Sequence, residues 1–188
     1  MFIRTNLLFL IFCGNLLYAT PLKPYVFNND YYHLSLYYQY LEDCETLNES
    51  QVFNKFQSGA FKKPTPNAAF SSGLSSCSYW LAVNVLNKTE FEQKFLWSFY
   101  NNGLEFTFYE LKNQKLVLVG QSSMKKNLEQ RPYAVRSISF PFYLFKNQDK
   151  TMFVKVTSTN AESIYFPTDV TNVEDYLTYE IAFSYQLT

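Results

Sequence analysis

The feature that most constrains the fold is a ten-residue stretch in which two kinds of side chain alternate. Residues 78–87 read SYWLAVNVLN. The odd positions from 79 to 85 are all apolar or aromatic, whereas the even positions include Trp80, Ala82 and Asn84. Successive side chains of a strand point to opposite faces of a sheet. This stretch therefore predicts a strand with one core face and one face that is open, or partly open, to something polar.

Similar alternation recurs along the chain and predicts further short strands. The stretches are 32–40, 91–99, 104–109, 115–119, 138–144, 152–156, 164–166 and 177–187. Asn101, Asn102 and Gly103 predict a hairpin turn, and Pro141 inside its strand predicts an edge strand or a bulge. Residues 58–77 are rich in Gly, Pro and Ser, which predicts a long surface loop with a short strand near Ala69.

One helix is expected, near the N-terminus. Asn48 followed by Gln51 has the form of a capping box, and Val52, Phe53 and Phe56 have helical spacing, which predicts a helix over residues 49–56. Eight or nine strands without βαβ alternation then predict an all-β fold, an antiparallel β-sandwich of jelly-roll type with this one short helix. Residues 21–188 fit a single domain.

The first twenty residues have the pattern of a signal peptide. Arg4 precedes an apolar run from Leu7 to Phe12, and Ala19 is a small residue near a plausible cleavage point. The apolar run is too short to span a bilayer. We therefore expect a periplasmic or secreted protein, in which Cys44 and Cys77 form either a disulfide or two separate buried thiols.

Composition argues against several classes of function. Sixteen Lys and Arg balance sixteen Asp and Glu, so no net field attracts nucleic acid. His33 is the only histidine, which excludes metal sites built from His and Cys clusters and leaves a catalytic triad without a supporting motif. Glu105 and Glu110 differ by an odd number and would face opposite sides of a strand, which is unsuitable for a glycosidase pair. We expect no enzymatic activity, cofactor or metal.

The candidate binding residues are aromatic, guanidinium and amide groups. A tryptophan on an open sheet face can stack on a sugar ring, while arginines and amides hold hydroxyl or carboxylate groups. Trp80, Arg131 and Arg136 are the main candidates for such a glycan platform, with Asn84 and Tyr165 as further ones. Trp97 is expected in the core. For Trp80, core and binding roles both stay open, and for the arginines the alternative is surface ion pairing.

The order of several segments resembles a known family. The segments are YLEDCETLNESQVF (40–53), FQSGAF (56–61), SYWLAVNVLN (78–87), QRPYAVRSISFPFYL (130–144) and TMFVKVTSTNAESIYFP (151–167). Together they are similar to the 7TMR-DISM extracellular 2 family, the extracytoplasmic sensor domain of bacterial seven-transmembrane receptors, over roughly residues 34–166. The resemblance implies a jelly roll similar to carbohydrate-binding modules that senses sugars or related molecules, with Trp80, Arg131 and Arg136 as the positions carried over.

Two functions follow as hypotheses. The first is a sensory domain that binds a carbohydrate or related small molecule for signal transduction. The second is a protein-interaction module that self-associates or docks on a membrane receptor without a small ligand.

Overall fold

The computed structural model describes residues 22–27, 34–101, 103–123, 125–131, 137–158 and 163–178. Within them are the α-helix α1 (Glu49–Gln57), a helical stretch at residues 173–178, short 3₁₀ turns at Leu34–Leu36 and Leu128–Gln130, and eleven strands. The strands are β1 (Tyr25–Phe27), β2 (Gln39–Asp43), β3 (Phe70–Leu74), β4 (Ser78–Asn87), β5 (Gln93–Phe99), β6 (Leu104–Lys112), β7 (Lys115–Ser123), β8 (Ile138–Leu144), β9 (Asp149–Ser158), β10 (Ser163–Phe166) and β11 (Thr168–Asn172).

The strands form one large sheet and two small ones. The large sheet has the order β1–β4–β9–β6–β7, and β2 pairs with the same edge of β4 as β1 does. The small sheets are β11–β5–β8 and β10–β3. The pairing is antiparallel except between β1 and β4, which run parallel. The predicted all-β sandwich is confirmed, and the jelly-roll connectivity stays a prediction.

The main core lies between the large sheet and the small ones. Tyr79 and the alternate residues that follow it on β4 are buried there, as their period-two pattern predicts. Aromatic rings fill much of this space: the Phe99 and Phe106 rings stack at 4.7 Å between centroids, and those of Phe108 and Phe140 at 5.0 Å. Trp97 is fully buried in the same core, as expected.

A second apolar cluster covers part of the outer face of the large sheet. It buries Trp80 and Ala82, so the face is not open there, whereas Asn84 and Leu86 are partly exposed, in line with the prediction of a partly open face. α1 begins with the predicted capping box, in which the Asn48 side chain accepts from the Gln51 N–H at 3.0 Å and the Gln51 side chain accepts from the Asn48 N–H at 2.9 Å. Its apolar face packs on the sheet. The outer cluster consists of Leu41, Leu47, Val52, Phe61, Trp80, Ala82, Tyr109 and Phe153.

Three local predictions also need correction. Leu34–Leu36 form a 3₁₀ turn, and the strand begins only at Gln39. The predicted hairpin does not join β5 to β6, because these strands belong to different sheets; instead the Asn101 side chain accepts from the Gly103 and Leu104 N–H groups. Residues 173–178 are helical, so the strand predicted from residue 177 does not begin there, and its remainder lies outside the described residues.

Other predictions agree with the structure. β8, which contains Pro141, is an edge strand that pairs with β5 alone among the described strands. Because it is an edge strand, the missing N–H of proline costs no ladder bond to a second neighbour. β3 lies within the long loop, one residue after Ala69. Cys44 and Cys77 are joined by a disulfide with Cα atoms 4.4 Å apart. The signal-peptide prediction falls on residues outside those described.

Candidate functional site

The structure places Trp80 in the protein interior. Its side chain is 1% exposed and packs against Tyr109, with ring centroids 5.2 Å apart. Its indole N–H donates to Asp43 Oδ2 at 3.1 Å, and the Lys155 ammonium lies 5.3 Å from the ring centroid. A buried tryptophan with its donor satisfied cannot offer a face to a sugar. Of the two roles that the sequence left open for Trp80, this burial supports the core role and not stacking on a ligand.

The helix α1, which shares the outer cluster with Trp80, is attached through polar as well as apolar contacts. The Tyr109 hydroxyl donates to Glu49 Oε1 at 3.3 Å. Burial, together with this neighbouring carboxylate, raises the pKa of Tyr109 to about 12. The phenol therefore stays protonated at physiological pH and keeps its donor role at the start of α1.

The other predicted residues do not gather around Trp80. The Arg131 guanidinium is half-buried and donates to the Lys126 carbonyl oxygen at 3.2 and 3.1 Å. Tyr165 is 50% exposed on β10, in a small sheet of the opposite layer. Arg136 lies outside the described residues. The structure thus shows no platform that unites the predicted tryptophan with Arg131 and Tyr165.

Asn84 does lie at a cleft. Its side-chain amide donates to Asp149 Oδ2 at 2.9 Å and to Thr151 Oγ1 at 3.0 Å. Both acceptors line a cleft of about 400 Å³ on the large sheet. We call this the β6–β9 cleft; its lining residues are Glu110, Leu111, Lys112, Gln148, Asp149, Lys150 and Thr151.

The cleft forms where two paired strands separate. The ladder between β6 and β9 ends at the pair Glu110–Met152, although β9 continues to pair with β4 as far as Asp149. Beyond that pair, the end of β6 and the start of β9 no longer bond to each other. Unpaired main-chain groups of a strand edge are strong hydrogen-bonding groups, so both the backbone and the side chains make this cleft polar.

Glu110 is the most constrained charge in the cleft. Its side chain is only 8% exposed and forms ion pairs with Lys112 on its own strand and with Lys150 on β9. Burial alone would raise the pKa of Glu110, but the hydrogen bonds and charges of the two lysines outweigh burial and lower that pKa below its usual value. Glu110 is therefore ionised at neutral pH, and it holds both ammonium groups in place.

The charges of the cleft balance. Its lining holds two carboxylates, on Glu110 and Asp149, and two ammonium groups, on Lys112 and Lys150. Hydroxyl and amide groups come from Thr151 and Gln148. A neutral polyhydroxylated molecule or a zwitterion matches such a lining better than a polyanion does.

Aromatic side chains flank the same end of the sandwich. Phe145, 61% exposed, begins the turn that ends at the cleft residue Gln148, whose side-chain oxygen accepts from the Phe145 N–H at 2.9 Å. Phe91 is 74% exposed on the neighbouring loop. The two loops are joined by the Asn87 side chain, which donates to the carbonyl oxygens of Phe91 and Leu144 at 2.8 and 3.0 Å.

No metal centre emerges from the described part of the chain. The one grouping with suitable donor atoms is Glu42 with Cys44 and Cys77, whose ligand atoms lie within 4.8 Å of one another. Both sulfur atoms of this group are already bonded in the disulfide. A disulfide lacks the thiolates that bind metals.

Sequence reasoning missed most of the cleft. Glu110 and Lys112 are two residues apart on one strand and so share a face, which is a signal that the sequence contains. The sequence contains no such signal for Lys150 and Asp149. Their approach to Glu110 depends on the register between β6 and β9, two strands far apart in the chain.

Comparison with known families decides the membership of the chain. Residues 35–171 match the family model described as 7TMR-DISM extracellular 2. The chain belongs to this family. A search among curated proteins found no match. Membership of the 7TMR-DISM extracellular 2 family supports an extracytoplasmic sensory role in a receptor context. In the described part of the chain, no helix is long and apolar enough to cross a membrane.

Proposed function

We propose that this 7TMR-DISM extracellular 2 domain is a non-catalytic sensor that binds a carbohydrate or a related small polar molecule in the β6–β9 cleft. The observation that carries the proposal is the fixed polar lining described above, in which Glu110 holds two lysines at a break in the strand ladder. Groups held in place before binding lose little entropy when a ligand arrives, which favours affinity.

The lining supports a small neutral or zwitterionic ligand. Sugar hydroxyls both donate and accept hydrogen bonds, and the residues that line the cleft of about 400 Å³ carry carboxylate, ammonium, amide and hydroxyl groups. Small-ligand sites commonly have about 300–1,000 Å³. The exposed aromatic residues Phe91 and Phe145 at the same end would provide apolar contact for a sugar ring.

Thermal unfolding across a panel of sugars, oligosaccharides, amino acids and small organic acids tests the proposal. A ligand at about 100 times its dissociation constant stabilises the folded state by about 2.7 kcal/mol. For a protein of this size, each kcal/mol raises the melting temperature by about 2–4 °C. At least one compound should therefore raise it by about 5–10 °C.

Two variants test whether the rise in melting temperature comes from binding in the β6–β9 cleft. Asp149→Ala removes an exposed carboxylate that lines the cleft and should abolish the shift, whereas Glu129→Ala, which removes an exposed carboxylate outside it, should leave the shift unchanged. A well-folded protein that responds to no compound, or an equal shift in the two variants, would contradict the proposal.

A further inference from the structure

The edge of the large sheet formed by β7 is apolar and exposed. Among the described strands, β7 pairs with β6 alone. Three consecutive side chains are exposed: Val117 by 42%, Leu118 by 61% and Val119 by 50%. Soluble proteins usually protect such an edge with proline, with charges along the strand or with a covering element. α1 lies against β7 but leaves these three side chains exposed. An exposed apolar edge can serve as a template for strand addition.

The hydrogen-bond pattern of the hairpin shows which main-chain groups face outward. β6 and β7 are joined by Asn113 and Gln114, which have φ values of 49° and 60°, and the flanking residues Lys112 and Lys115 are partners. In a hairpin with a two-residue turn, this flanking pair exchanges both of its hydrogen bonds, and the pattern then alternates. The N–H and C=O groups of Leu116 and Leu118 therefore point away from β6.

A bulge limits the length of this regular edge. Tyr109 pairs with Leu118 and Phe108 with Gly120, so Val119 has no partner on β6. A bulge increases the local twist and ends regular pairing beyond it. The regular edge therefore covers residues 115–118, with Val119 at its end; we call residues 115–119 the β7 edge.

The charges around the β7 edge select the partner. Lys115 lies at its start, Lys125 and Lys126 follow the strand, and β7 itself contains no carboxylate. The Lys126 ammonium donates to the Gln121 carbonyl oxygen at 2.7 Å, which holds that positive charge beside the strand. In parallel pairing, a second copy of β7 would bring Lys115 against Lys115 at the start of the strand. In antiparallel pairing, Lys115 of each copy would approach Lys126 of the other, at both ends. Like charges in this position disfavour self-pairing.

We propose that the β7 edge binds an extended segment of a partner protein by strand addition, and that this segment carries alternating apolar residues with acidic residues at its ends. Main-chain bonds to Leu116 and Leu118 supply the pairing. Apolar side chains of the segment cover Val117, Leu118 and Val119, and its terminal carboxylates face the lysines. This docking surface is separate from ligand binding in the β6–β9 cleft.

The test uses the full chain and a fluorescently labelled synthetic peptide of alternating valine and threonine with two glutamates at each end. Fluorescence anisotropy should show saturable binding that weakens as salt rises. Leu118→Asp should weaken binding at least tenfold, and Lys115→Glu should weaken it severalfold. Leu74→Asp, at a residue 81% exposed on β3, is the matched control and should bind as the parent does.

Several outcomes would overturn the inference. They are the absence of saturable binding, equal binding to the Leu118→Asp and Leu74→Asp variants, and equal binding of a peptide with lysines in place of glutamates. A dimer in light scattering that Leu118→Asp abolishes, without peptide binding, would identify a second copy as the occupant and refute the acidic partner. Asp149→Ala should leave peptide binding unchanged, so that failure here is distinguishable from failure of the cleft proposal.

Discussion

The structural role of Trp80 leads to a comparison between the two tryptophans of the chain. Both are buried, and each indole N–H has one acceptor. Trp80 donates to the Asp43 carboxylate at 3.1 Å, and Trp97 donates to the Thr168 hydroxyl at 2.8 Å. Substitution by phenylalanine removes the donor in each case and a similar part of the ring. The two variants therefore differ mainly in the acceptor that loses its donor.

Because the two acceptors differ in charge, the two substitutions should lower the free energy of unfolding by different amounts. A hydrogen bond to a charged group contributes about 1.5–3 kcal/mol, and one between neutral groups about 0.5–1.5 kcal/mol. Asp43 is 3% exposed, so water does not readily replace the lost donor. It keeps bonds from the Leu47 N–H at 3.0 and 3.1 Å, which limit the damage. We expect Trp80→Phe to lower the free energy of unfolding by about 1–2 kcal/mol more than Trp97→Phe does.

Equilibrium unfolding in urea measures the free energy of unfolding of the parent protein and of both variants. In addition, any compound that stabilises the parent protein should stabilise the Trp80→Phe variant by the same amount, because the buried ring has no face open to a ligand. An equal or smaller loss of unfolding free energy for Trp80→Phe than for Trp97→Phe would show that the bond to Asp43 contributes no more than the bond to Thr168. An unchanged stability of Trp80→Phe accompanied by a lost ligand response would refute the structural role of Trp80.

Three further predictions concern stability. Reduction of the Cys44–Cys77 disulfide, which spans 33 residues of sequence, should cost about 4 kcal/mol in urea unfolding; a loss below about 1 kcal/mol would contradict this. Because the pKa of Glu110 is lowered on folding, its ion pairs stabilise fully above the unfolded-state value of about 4.3 and are lost as pH falls through the lower folded value. The stability difference between the parent and Glu110→Gln should therefore shrink below about pH 4, and a constant difference from neutral to acid pH would argue against the ion pairs. Asn48→Ala should cost about 1 kcal/mol through loss of the capping box, whereas Asn54→Ala on the exposed face of the same helix should cost nothing.

Local patterns predicted α1 and most of the observed strands, but not the 3₁₀ turn at Leu34–Leu36 or the helical stretch at residues 173–178. The observed β4, Ser78–Asn87, has the predicted bounds, and α1 begins at the predicted Glu49. Both depend on interactions within a few residues, namely alternation across a sheet and a capping box. Such signals are fully contained in the sequence.

Packing between residues far apart in the chain explains the predictions that were wrong. Alternation on β4 shows that two faces exist, but it does not show what covers the second one, where Trp80 is buried in a cluster with residues such as Val52 of α1 and Phe61. Asn101 and Gly103 favour a turn, yet they cannot specify whether the following strand returns to the same sheet. Of the cleft, only Asn84 was a predicted binding residue, because Glu110 and Lys150 meet through a register that local sequence does not encode.

The most direct test of the ligand-binding claim is a backbone amide NMR titration with the compound that gives the largest thermal shift. If the ligand binds in the β6–β9 cleft, chemical-shift changes should concentrate at Asn84, residues 110–112 and residues 148–151, with little change at Trp80 or Tyr165. Changes centred on Trp80 and Arg131, with the β6–β9 cleft unaffected, would contradict this claim.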